Sequence, residues 1–247
     1  MSASARFSEA RLRALSERET VGGIGTLSEK LLHKTLKFYT EPDDSRHEVS
    51  VLGSIADVKN EDGITEIQTR SLERLLPKLE KFLAKHRVTV VLPLEHSRRI
   101  NYVDKDTGEL ISTRKGTRRD GINRAACELY KIAPLLTDKN LTVRLIFLDF
   151  DEYRYPRKKG AWQKRSDYLI ERIPTAIALE HELKCREDYL AFLPEALGEK
   201  FTARELGSEI KLDSRRTHNT LSLLLSLGLI ERERGEGRAY IYKRKTG

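Results

Sequence analysis

Residues 88–94, Val-Thr-Val-Val-Leu-Pro-Leu, form an apolar run interrupted only by Thr89, and no other stretch restricts the fold as tightly. A strand with two apolar faces needs cover on both sides, which is the habit of parallel strands in α/β sheets. The preceding segment supplies one cover. Between Ser71 and Lys85, Leu72, Leu75, Leu76, Leu79, Phe82 and Leu83 recur on one helical face, with Ser71 as the expected cap. Ile64–Thr69, ahead of that helix, reads as a strand, so a strand–helix–strand crossover makes the two strands parallel.

Upstream, Leu27–Tyr39 (LSEKLLHKTLKFY) is an amphipathic helix capped by Thr26 or Ser28 and closed by Glu41-Pro42-Asp43-Asp44. His47–Gly53 and Ser54–Lys59 read as two strands, giving the order helix, three strands, helix, strand. Downstream come strands near Arg99–Val103 and Leu110–Arg114, a helix over Gly121–Leu136 and a strand over Leu141–Phe150. The run DEYRYPRKKGAWQKRS reads as a loop or sheet edge. The pattern changes near Ile173-Pro174, which divides the chain into an N-terminal arm or short helix (1–26), a first domain (27–172) and a second (173–247). In the second, helices are expected over Cys185–Leu197, from Phe201 with Thr202 as cap, and from Asp213 or Ser214 to Gly228. Strands at Leu229–Arg234 and Arg238–Lys243 then flank a charged turn.

The net charge of +8 is unevenly placed. Arg98–Arg172 holds 18 Lys/Arg against 11 Asp/Glu, and residues from Lys211 onward hold 9 against 4, with an acidic stretch between. Two separated basic zones suggest two surfaces facing a polyanion, although a single such zone can serve solubility alone. No apolar run approaches the ~20 residues that cross a bilayer. The N-terminus lacks an apolar signal core, and two cysteines, Cys127 and Cys185, are too few for a disulfide framework. A cytoplasmic protein without membrane association is expected. VGGIGTLSEK lacks the Gly-Lys-Ser/Thr ending of a phosphate loop, and the six His are scattered, without zinc spacing.

One hairpin carries chemistry. In SIADVKNEDGITEIQTRS, Asp57 and Glu66 approach each other across a polar turn at Lys59–Gly63, and Gln68 follows Glu66 on the same strand face. Mg²⁺ or Mn²⁺ takes hard oxygen ligands, so two carboxylates and the Ile67 carbonyl can hold it against a phosphate. A surface hairpin with incidental charges is the bland alternative. Glu29 on the first helix, with His33 one turn later, is either a further metal-side group or a solvated face. Glu48 is a weaker candidate, and Arg70 can supply the positive charge that Gln68 lacks.

Asp57, Glu66-Ile67-Gln68 and the surrounding element order resemble the PD-(D/E)XK restriction-endonuclease-like superfamily, with Gln68 where Lys is more common. That resemblance implies a mixed α/β core and a Mg²⁺- or Mn²⁺-dependent deoxyribonuclease with catalytic Asp57, Glu66, Gln68 and Glu29, and metal ligands Asp57, Glu66 and Ile67. Cutting both strands of double-stranded DNA would take a homodimer or two binding events. The ending LLLSLGLIERERGEGRAYIYK resembles a winged-helix domain, which implies that Arg215, Arg216, His218 and Asn219 read DNA and that Arg232, Arg234 and Arg238 on the wing touch its backbone. Such domains also bind proteins or structured RNA. A non-catalytic DNA-binding regulator with a degenerate nuclease-like domain is the competing expectation.

Overall fold

The apolar run at 88–94 is the first half of a much longer strand, β4 (Val88–Val103), and the sheet is assembled around it. The computed structural model describes residues 2–17, 27–69, 71–117, 120–156, 168–235 and 239–245, with 27–29 and 168 described by backbone alone. An antiparallel meander, β1 (His47–Val51), β2 (Ser54–Asn60) and β3 (Gly63–Ile67), lies on one side of β4. β3 runs parallel to β4 from Ile64/Val88 to Ile67/Val91, as the crossover argument requires. On the other side, β6 (Leu141–Tyr155) is parallel to β4 over almost its whole length, and β7 (Tyr168–Leu183) closes the sheet antiparallel to β6. The strand order is β1-β2-β3-β4-β6-β7.

β5 (Leu110–Lys115) pairs with Arg99–Val103 on the edge of β4 that β3 has left. Between the end of β3 and the start of β5, residues 92–98 of β4 face an opening. Pro93 sits there at little cost. Val91 turns its carbonyl toward β3, where it accepts from the Gln68 N–H, so by alternation the N–H that proline lacks would point into the opening. Arg99–Val103, expected as a separate strand, continues β4 past a bulge at Glu95/Ser97.

Helices cover both faces. α3 (Leu76–Leu83) and α4 (Asn123–Leu129) bury Leu79, Phe82, Ala125 and Leu129 on one side. α1 (Ala3–Ser16) and α2 (Leu27–Thr40) bury Phe7, Leu36 and Tyr39 against Ile67, Val91 and Ile146 on the other. The segment read as an arm or short helix thus includes a packed helix, held to α2 by a 3.0 Å hydrogen bond from Arg6 to the Tyr39 hydroxyl. Three expected helices are shorter, and the one expected over Cys185–Leu197 is a 3-10 segment at Arg186–Phe192. Leu72–Leu75 is a 3-10 turn before α3, and the Gly121–Leu136 helix gives way to a 3-10 segment at Tyr130, with Pro134 inside it.

The boundary expected at 172/173 falls inside β7, which keeps its pairing to β6 through Leu183. Proline at 174 is accepted because β7 is an outer strand and Pro174 lies next to a register shift. Beyond it, β8 (Lys200–Thr202), α5 (Ala203–Ile210), α6 (Ser214–Ser226), β9 (Ile230–Arg234) and β10 (Tyr240–Arg244) form a second unit with a β8-β10-β9 sheet. A capping box of Thr202 with Glu205 starts α5, and Asp213 caps α6. Leu221, Leu223 and Leu224 of α6 share one core with Ala125, Leu129 and Ile132, so apolar packing joins the two units.

Candidate functional site

Strands β2 and β3 pair from Asn60/Gly63 to Val58/Thr65 and then part, β2 continuing against β1 and β3 against β4. Asp57 and Glu66 occupy the next position of that register, at the fork. Gly63 sets the hairpin's base: its φ of +135° and an approach that would bring a Cβ to 2.4 Å from the Arg87 carbonyl oxygen exclude a side chain.

At the fork, carboxylate bonds replace ladder bonds. The Ile67 N–H donates to Asp57 Oδ2 at 2.8 Å, and the Asp57 N–H reaches Glu66 Oε1 at 3.4 Å. His33 of α2 places Nε2 3.3 Å from the same Asp57 oxygen. Lys78 of α3 donates to Glu66 Oε2 at 2.6 Å. One acid is therefore held from each side of the sheet, by α2 and by α3. Glu66 is only 2% exposed, which rules out an incidental surface hairpin.

The two acids diverge in proton affinity. Burial pushes the Glu66 carboxyl up to about 7, helped by the neighbouring Asp57 charge and opposed by Lys78. Burial also raises Asp57, but His33, the Ile67 N–H and the Lys78 charge outweigh it and leave the group below the ordinary carboxylate range.

Gln68 caps the end of β3. Its N–H donates to the Val91 carbonyl at 2.9 Å, and its side-chain amide donates to the Ser71 carbonyl at 2.7 Å. Ser71 makes no side-chain cap for the turn it precedes. Instead its hydroxyl accepts from Lys131, which also pairs with Glu128 at 2.8 Å, and Glu128 accepts from the Leu72 N–H. Glu29 stands one turn before His33 on α2, and its side chain lies outside the described residues, as do Arg70 and Arg238. Glu48 is exposed, has a φ of +53°, and pairs with Lys37 at 2.7 Å, in the same cavity as His33. Among the described residues, no three His, Cys, Asp or Glu side chains are arranged to hold a metal ion. The acids brought together are the pair Asp57 and Glu66.

Lys78 is the partner that the sequence reading missed. It lies beside the apolar Leu75–Leu79–Phe82 stripe, where an amphipathic helix ordinarily has a solvated boundary residue. Its ammonium lies 5.7 Å from the Phe82 ring centroid, on the path to Glu66.

Next to Gln68 a cavity of about 410 Å³ occupies the opening between β3 and β5, lined by Thr69, Ser71, Leu92–Glu95, Asp120, Arg124, Glu128 and Arg172. Three arginines of the first basic zone are engaged by carboxylates of β6. Arg98 contacts Glu152 at 3.1 Å, Arg154 holds the same carboxylate at 2.7 Å, and Arg99 pairs with Asp151 at 2.6 Å. Part of the loop after Tyr155 lies outside the described residues.

In the second unit, Arg215, Arg216 and His218 are exposed on the first turns of α6. Arg216 pairs with its cap Asp213 at 2.7 Å, and His218 Nδ1 bonds the Ser214 carbonyl at 2.7 Å. Asn219 is half-buried and faces a groove shared with α4. Arg232 lies 4.2 Å from the Tyr240 ring centroid on the β9–β10 hairpin, and Arg234 is exposed on the same strand. Ser222 and Ser226, also exposed, extend the open stripe of α6.

A family model described as a domain of unknown function (DUF8091) matches residues 30–184. A protein of Treponema pallidum (strain Nichols), described as uncharacterized, is 30% identical over 177 residues, covering 70% of each chain. No solved structure matches. The family match takes in Asp57, Glu66, Gln68 and Lys78 and stops at the residue after β7, leaving out α1 and the α5–α6 unit. The chain belongs to the DUF8091 family.

Proposed function

We propose that the chain is a metal-dependent DNA endonuclease of the PD-(D/E)XK type, positioned on duplex DNA by its C-terminal unit, which we read as a winged helix. The observation that carries the proposal is the fork. Two acids from diverging strands are held between a histidine on one helix and a lysine on another, and the histidine lines an open cavity of about 700 Å³. Asp57 and Glu66 fit a hard ion bound through two carboxylates, the Ile67 carbonyl and waters. Such an ion would polarise a phosphate and lower the pKa of a coordinated water.

The remaining roles belong to this chain. Lys78 supplies the positive charge that Gln68 cannot, because an amide offers hydrogen bonds alone. Glu66, titrating near neutrality, accepts an ion only after losing its proton, so ion affinity rises with pH. Gln68 fixes the turn at Ser71 and thereby the wall of the cavity that takes the substrate. Hydrolysis adds water across one P–O ester bond and leaves a phosphate monoester and an alcohol. The β8-β10-β9 sheet order and the capped α5–α6 pair support the winged-helix reading, in which Arg215 and His218 meet DNA.

One observation favours a second reading, a DNA-binding regulator without catalysis. Lys78 and His33 already bond both acids, so the site is complete as a structural plug. Calorimetric titration at pH 8 with Mn²⁺ separates the two. Heat of binding that vanishes in Asp57→Asn supports the nuclease, and no heat in the wild-type chain supports the regulator.

A further inference from the structure

Three cavities adjoin across this molecule. The first, about 700 Å³, lies along α2 and is lined by Lys30, His33, Lys34 and Lys37, at i, i+3, i+4 and i+7 on one helical face. It shares Thr69 with the 410 Å³ cavity beside Gln68. That cavity shares Arg124, Cys127 and Glu128 with a third, about 320 Å³, between α4 and the start of α6, where Lys131, Arg215, Arg216 and Asn219 line the wall. The cavities thus adjoin in one path from α2, where His33 reaches Asp57, over α4 to α6.

Charge along the path is not uniform. The α2 end sets Lys30, Lys34 and Lys37 against Glu17, Asp44 and Glu48, the middle holds Glu95, Asp120 and Glu128 together with Arg124 and Arg172, and the α6 end is cationic, with Arg124, Lys131, Arg215 and Arg216 against Glu128 and Asp213. Most of these cations rest on carboxylates of this chain: Lys34 on Glu17, Lys37 on Glu48, Lys131 on Glu128 and Arg216 on Asp213. The exposed pairs among them are worth ~0–1 kcal/mol each, so a phosphate can replace the carboxylate at little cost. The stripe from Lys30 to Lys37 spans about 10 Å at 1.5 Å per residue. Lys37, at its far end, is only 8% exposed, so Lys30 and Lys34 are the cations of the stripe that can meet phosphate.

We propose that this path is a continuous binding groove for the sugar-phosphate backbone of one DNA strand, engaged at α2 and α6 at once. It rests on the nuclease reading for the choice of DNA as the polyanion. The groove sets where the scissile phosphate lies: backbone held at both ends passes the cavity next to Gln68.

The test is binding of a labelled duplex of roughly 30 base pairs, about three helical turns, measured in EDTA across a salt series so that no cleavage occurs. The variants are Lys30→Glu and Arg215→Glu, both at exposed positions, their double combination, and Arg186→Glu as a control that lines none of the three cavities. Each end variant is expected to weaken binding and flatten the slope of log affinity against log salt by about 0.9 for every phosphate it no longer neutralises. The double variant shows both decrements together, and the control keeps the wild-type slope. Sensitivity at one end only, equal weakening in the control, or absence of binding overturns the groove. A duplex bound at both ends but never cut with Mn²⁺ keeps the groove and removes the nuclease. A duplex cut normally by Lys30→Glu with an unchanged salt slope does the reverse.

Discussion

Glu66→Gln replaces a buried acid with a neutral group of nearly the same shape, and its effect on stability should depend strongly on pH. In the folded chain Glu66 holds its proton up to about 7, against an ordinary 4.5. Between those values the folded state binds more protons than the unfolded state, so wild-type stability falls as pH rises through the window and levels off above about 7. At ~1.4 kcal/mol per pH unit, the gap amounts to about 3 kcal/mol. Lys78, whose side chain is 23% exposed, can turn toward water when its anionic partner is removed, so the glutamine does not strand a buried cation. Denaturant titrations at pH 5 and pH 8 in EDTA read the effect directly. Wild type should lose about 3 kcal/mol more than Glu66→Gln between the two values. Equal losses, or a wild type that gains stability toward pH 8 relative to the variant, would show that Glu66 is not a buried acid with a raised pKa.

Removing the Lys78 cation should push Glu66 higher still: in Lys78→Met the stability loss with pH moves to a higher window, and Lys78→Arg restores it, as the same denaturant series would record. Gly63→Ala should cost about 1–3 kcal/mol through its positive φ and the clash with Arg87, measured by denaturation, and a neutral outcome would mean that the hairpin base is not as tight as described. Asp213→Ala removes the cap of α6, with an expected loss of ~1 kcal/mol. In a chain of this size that lowers Tm by about 2–4 °C by scanning calorimetry. An unchanged Tm would place the start of α6 under other control.

The local elements were legible wherever periodicity was strong. Leu72, Leu75, Leu79 and Phe82 announced a covering helix, and the parallel pairing of β3 with β4 followed from its position. Glu66 was legible as one of a pair of acids because the turn fixes the register that sets it beside Asp57. What stayed hidden depends on distant parts of the chain. β4 and β6 run to 16 and 15 residues because they support each other past the point where their apolar runs end, and no local pattern encodes that. Ile173-Pro174 looked like a linker because an outer strand tolerates the proline that marks linkers elsewhere. Lys78 stayed invisible because only the crossover brings α3 back over β3.

Cleavage of supercoiled plasmid DNA with Mn²⁺ tests the central claim most directly, comparing wild type with Glu66→Ala at protein concentrations where both bind the DNA. Nicked circles are expected from the wild-type chain, none in EDTA, and none from Glu66→Ala despite retained binding. Equal nicking by the two proteins, or no nicking by the wild type with either Mg²⁺ or Mn²⁺, would contradict it.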